Sequence, residues 1–181
     1  MHSRSAGFTL TEALVIVALI GILSTTALIS TQRMRFERQR AALNTTVRDL
    51  AYWLDLIRAR AATGTACTVT ITTGSLAAGA TLASVSPTSC GANLTLDAEA
   101  AAQAVPLAVA LSPSSTIVYT TLGGAQPGSI QDIDGFDAVQ VAISSTSANL
   151  RRCLAISNGT GSLRFGAANT SGGTCSYTAP L

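Results

Sequence analysis

Lysine is absent from this chain of 181 residues, and all 11 basic residues are arginine. Schiff-base chemistry, a PLP attachment point and a P-loop lysine are therefore excluded. The single histidine is His2, so a His-based triad or a His-rich metal site is nearly excluded as well. Charged residues make up 11%, less than half of the ~25% usual in soluble globular chains. Aromatics are only 4%, so a core must rest on Ala, Val, Ile and Leu. The net charge of +2 is too small to imply a polyanionic partner by itself, although its distribution is uneven. Hydrophobic residues reach 48%, which argues against disorder, and the length allows one folded domain plus an anchor.

The apolar content concentrates first near the N-terminus. Residues 13–29 read ALVIVALIGILSTTALI without a charge, and Ser30 and Thr31 extend the run to about the ~20 residues that span a bilayer as a helix. Before it stand MHSRSAG and then FTLTE, so one acid, Glu12, sits at the edge of the run. A carboxylate there is costly in lipid and marks a functional site by default. An ordinary secretory signal or a plain anchor is the bland alternative for the run. Glu12 argues against the signal, because apolar export segments rarely begin with an acid.

The residues Gly7-Phe8-Thr9-Leu10-Thr11-Glu12, followed directly by the apolar helix, resemble the type IV prepilin family. The resemblance implies a leader over 1–7, cut by prepilin peptidase between Gly7 and Phe8, and N-methylation of Phe8. It also implies a transmembrane and filament-core helix over 8–35 and a head over 36–181. Glu12 would then be the fifth mature residue and the assembly residue. Its carboxylate can neutralise the Phe8 amine of a neighbouring subunit in a medium where either charge alone is expensive. Basic residues flanking the span run against this orientation: Arg4 precedes it, while Arg33, Arg35, Arg38 and Arg40 follow. The resemblance and the cysteines put the head outside the cytoplasm.

Helical periodicity continues past the apolar run. Leu43, Val47, Leu50, Leu54, Ile57 and Ala61 step by alternating fours and threes, which is one helical face. No proline occurs before Pro87, and no glycine between Gly21 and Gly64. A helix from Phe8 to about Ala62 would be ~80 Å long. Strand patterns follow at 66–73, 81–86, 105–111, 116–121, 138–144, 151–157 and 162–165. In the first of these, Cys67, Val69 and Ile71 alternate with threonines. The order predicts an α+β fold, with a long N-terminal helix packed on an antiparallel β-sheet head, and the resemblance implies that this is the pilin fold.

Two head segments resemble the GspH/FimT branch of minor pilins and pseudopilins. They are Ile117-Val118-Tyr119 leading into Gly123-Gly124, and Arg151-Arg152-Cys153-Leu154-Ala155-Ile156-Ser157-Asn158-Gly159. That branch implies a low-copy filament subunit that helps to initiate or cap assembly, in a type IV pilus or, alternatively, a type II secretion pseudopilus.

Cysteines at 67, 90, 153 and 175 include no CxxC pair, so a zinc or thioredoxin-type site is disfavoured. An even count in an exported head suggests disulfides. Of three possible pairings, Cys67–Cys90 and Cys153–Cys175 are favoured, because each closes a short stretch within one region. Arg33 to Arg60 contains seven arginines against Glu37, Asp49 and Asp55, and the chain from residue 151 has Arg151, Arg152 and Arg164 with no acid. Some members of the branch bind DNA through a Gly-Arg-x-Arg motif near the C-terminus. The corresponding place here reads Gly161-Ser162-Leu163-Arg164, and Arg151 and Arg152 compensate only if the strands bring them near Arg164. The competing reading is that these arginines pair with acids of neighbouring subunits or solubilise the tail. Asp132, Asp134 and Asp137 in QDIDGFD have a spacing open to calcium, but the EF-hand pattern is incomplete and an ordinary connection is expected. No catalytic constellation, metal site or cofactor is expected. The partners implied are other pilins or pseudopilins, the prepilin peptidase, the inner membrane before assembly and, through the arginines, DNA.

Overall fold

The computed structural model describes residues 10–96, 107–112, 116–128, 130–133, 136–145 and 147–177. A single helix, α1, runs over Leu10–Ala62. Its length follows from the absence of proline and, after Gly21, of glycine, so nothing in the sequence interrupts the hydrogen-bond ladder. It ends where Thr63 and Gly64 donate to the Arg60 and Ala61 carbonyls at 3.1 and 3.3 Å, which tightens the last turn.

The chain divides into two compact units, Met1–Glu37 and Arg38–Leu181. In the first, Leu10, Leu14, Val15, Ile16, Val17, Leu19, Ile20 and Ile22 are all exposed. Among the described residues, no helix is long and apolar enough to cross a membrane. The side chains of residues 23 and 25–31, which belong to the apolar run, lie outside that description.

In the second unit the helical face expected from sequence is the buried one. Leu43, Val47, Leu50, Leu54, Ile57 and Ala61 are at most 1% exposed. Trp53 adds an anchor, its indole N–H donating to the Ala92 carbonyl at 2.9 Å.

Among the described residues eleven strands follow: β1 (Cys67–Ile71), β2 (Gly74–Leu76), β3 (Thr81–Ser86), β4 (Leu94–Thr95), β5 (Leu107–Ser112), β6 (Thr116–Tyr119), β7 (Ala125–Pro127), β8 (Gln131–Ile133), β9 (Phe136–Ser145), β10 (Leu150–Ser157) and β11 (Leu163–Ala168). They form two antiparallel sheets, ordered β4-β3-β1-β6-β7 and β11-β10-β9-β5-β2, with β8 paired to β9. Strict alternation places Cys67, Val69 and Ile71 of β1 inside and its threonines outward or at the margin. One apolar cluster joins α1 to both sheets: it contains Leu50, Leu54 and Ile57 of the helix, Val69 and Ile117 of one sheet and Leu154 and Ile156 of the other. The fold is α+β, a helix packed on antiparallel sheets.

Sequence reasoning expected a single sheet. The second arises because β5, β9, β10 and β11 pair among themselves, while β1 pairs with β3 and β6. At one end the sheets are joined by backbone: the Gly159 amide, in the turn after β10, donates to the Ala125 carbonyl of β7 at 2.8 Å.

Candidate assembly site and the surface of the head

Glu12 lies in the first turn of α1, where a carboxylate also suits the positive end of the helix dipole. It is exposed, and so are the apolar side chains around it, Leu10, Leu14, Val15 and Ile16. A surface of this kind is poorly matched to water over several turns of helix and suits lipid or other apolar helices. Gly7 and Phe8 lie outside the described residues.

The four cysteines form two disulfides. Cys67 of β1 pairs with Cys90, Cα–Cα 5.9 Å, and Cys153 of β10 pairs with Cys175, Cα–Cα 6.3 Å. The second straps the C-terminal tail over the sheet face turned away from α1. There the Ala167 and Ser176 backbones exchange hydrogen bonds at 3.0 Å each way. Tyr177 packs on Ile133, Ala138 and Ala155, and its hydroxyl meets the Gln140 amide.

Residues 2–28 match the family model for the prokaryotic N-terminal methylation motif. This prepilin-type motif indicates a type IV pilin-like protein. The motif implies processing by prepilin peptidase, assembly with other pilins and an N-terminal helix anchored in the inner membrane. No curated protein and no solved structure gives a significant match to the chain.

The pilin-like head distributes its late arginines over two faces. Arg151 and Arg152 are consecutive in β10, so their side chains point to opposite sides. Arg152 points towards α1 and is 5% exposed, its Nε donating to Asn44 Oδ1 at 2.7 Å and its Nη1 to the Arg151 carbonyl at 3.1 Å. Burial, and then the Arg40 guanidinium, hold it below the ordinary arginine value. Arg151 points to the tail side, where its Nη1 donates to the Gly173 carbonyl at 2.9 Å. Arg164 of β11 stands opposite Ala155 in register and shares the face of Arg151, but Arg151 pairs with Ala168, four positions along. That separates the two by ~13 Å along the sheet. The three guanidinium groups are thus not gathered into one patch: Arg152 turns to the helix side, and Arg151 and Arg164 stand apart on the other face.

Asp132 and Asp137 face each other across the β8–β9 hairpin, and Asp134 lies outside the described residues. Among the described residues no group of three His, Cys, Asp or Glu could hold a metal ion.

A feature that sequence reasoning missed lies at the C-terminal end of α1. Arg58 Nε donates to the Gly123 carbonyl at 2.7 Å, tying the helix to the β6–β7 turn. Beside it opens a groove of ≈ 390 Å3. Tyr119 is fully buried, and its hydroxyl finds no hydrogen-bond partner among the described residues. The glycines at 123, 124 and 159 were readable only as turns, because their convergence depends on two separate hairpins meeting.

Proposed function

We propose that the chain is a minor subunit of a type IV filament, a pilus in which it takes an initiating or tip position. Cleavage falls between Gly7 and Phe8, Phe8 is N-methylated, and Glu12 pairs with the Phe8 amine of the adjoining subunit. The subunit first sits as a single-pass inner-membrane protein with residues 8–35 as anchor and the head over 36–181 outside the cytoplasm. The observation that carries this reading is the methylation motif over residues 2–28, set at the start of an exposed apolar helix with one carboxylate. The head segments that resemble the GspH/FimT branch support the minor role: β6 leads through its glycine turn into β7, and β10 ends in a glycine turn bonded to that same β7. A filament subunit needs no catalytic group, and we read the chain as non-enzymatic.

Mass spectrometry of the native chain tests the processing step, and Phe8 should be first and methylated. A chain still beginning at Met1 would overturn the reading. Cross-linking in the native host separates the filament systems. Capture by a major pilin supports the pilus, and capture by a major pseudopilin moves the subunit to type II secretion.

A further inference from the structure

We propose that the groove beside Arg58 is a receptor for a carboxylate-bearing peptide segment, an acidic side chain offered by an adjoining filament subunit. Its walls are unusual in chemistry. Among the described residues Arg58 supplies the only formal charge, and the wall is otherwise largely the backbone of Gly123, Gly124 and Gly159, with the Gly123 and Gly159 amides donating to the Thr120 and Ala125 carbonyls at 2.9 and 2.8 Å. Gln126 adds an amide, the Thr120 and Thr160 hydroxyls already donate to the Gly124 carbonyl and to Ser162 Oγ at 3.3 and 3.1 Å, and among the described residues no carboxylate lines it. Asp55, one turn earlier on α1, is exposed and is not part of the wall.

The guanidinium is oriented rather than free to swing, because its Nε–H is committed to the Gly123 carbonyl. A planar fork held in this way presents its remaining N–H groups in a geometry that suits carboxylate oxygens. Fixing it in advance lowers the entropy lost on binding. The glycines keep the space open. Gly123 and Gly159 have φ of +76° and +77°, which side-chain-bearing residues rarely adopt, and a Cβ on Gly124 would collide with the Gly159 carbonyl oxygen. Leu122, 94% exposed, stands on the lip and offers an apolar contact next to the charge. A sugar is a poorer fit, since among the described residues no aromatic ring lines the groove on which it could stack.

That the peptide comes from a filament subunit rests on the reading above, whereas carboxylate recognition does not. The test is an NMR titration of the full-length chain in detergent micelles with the peptide Ac-Leu-Glu-Leu-NH2 and its glutamine counterpart. The glutamate peptide should shift the Gly123, Gly124 and Gly159 amides and bind ~10-fold or more tightly than the glutamine peptide. Arg58→Gln should erase that preference. Because Arg58 also ties the helix to a turn, Gln126→Glu serves as a second variant. It places a carboxylate in the groove from an exposed strand position, and should block the peptide while leaving the thermal midpoint unchanged. Equal binding of the two peptides, or a preference that survives both substitutions, would overturn the proposal without touching N-terminal processing. A methylated Phe8 on a chain that ignores the peptide would refute the groove alone.

Discussion

Tyr119 carries a hydroxyl with no exposure and, among the described residues, no hydrogen-bond partner. A buried, unsatisfied hydroxyl costs about 1–3 kcal/mol. Tyr119→Phe should therefore leave the head as stable or raise its stability by about 1 kcal/mol, read as a higher thermal midpoint. Burial, and then the Asp55 carboxylate, push the phenol well above its ordinary value, with Arg58 opposing. The sign follows from linkage: the folded state holds this proton more tightly than the unfolded chain. The stability this contributes is present below the unfolded tyrosine value of about 10, and declines as pH rises beyond it. Melts from about pH 9 to pH 11 should show a fall that Tyr119→Phe reduces; an identical fall in both proteins would refute the assignment. The strand bearing Tyr119 was legible as an alternating run. Its missing partner was not, because hydroxyl satisfaction depends on what the helix and the Gly161 turn bring near. The same holds for Arg152, which looks like half of a basic pair until the register of β10 assigns it to the helix side.

Strands with a periodic signal were legible. β1, β3, β5, β6, β9, β10 and β11 fall on alternating or apolar stretches. β2, β4, β7 and β8 have two or three residues each, too few for periodicity to register, and are strands only because a longer neighbour offers its edge. Among them, β7 carries the tie to the β10–β11 turn. The tail after β11 is held mainly by Cys153–Cys175, by the Ala167–Ser176 bridge and by Tyr177. Changing both Cys153 and Cys175 to Ser should cost up to about 3 kcal/mol, the loop-closure value for a separation of 22. Hydrogen exchange should quicken first at the Ala167 and Ser176 amides. If exchange rises uniformly through both sheets instead, the bond supports the whole head rather than its tail.

For the molecule as a whole, the two compact units differ in what satisfies them. The head buries its own apolar stripe, whereas the first unit exposes Leu10, Leu14, Val17 and Ile22. Neighbouring helices in a filament would cover that surface, and pairing of Glu12 with a Phe8 amine would set the axial position of each subunit. Glu12→Ala should insert and be cleaved normally but enter filaments ~10-fold or more poorly, because an amine buried without its partner costs several kcal/mol. Quantifying the variant in sheared filaments and in the membrane fraction tests this, and normal incorporation would falsify the charge pairing. The sequence by itself determined the processing motif, the carboxylate at the head of an apolar helix, the buried stripe of α1 and the longer strands. All of these are written in local spacing, which one segment carries alone. Only the tertiary structure decided that the strands part into two sheets, that Arg152 turns inward while Arg151 and Arg164 face the tail, and that Arg58 meets three glycines in a groove. Each of those outcomes depends on hydrogen-bond register between segments far apart in the chain, where a shift of one residue would reverse every side chain.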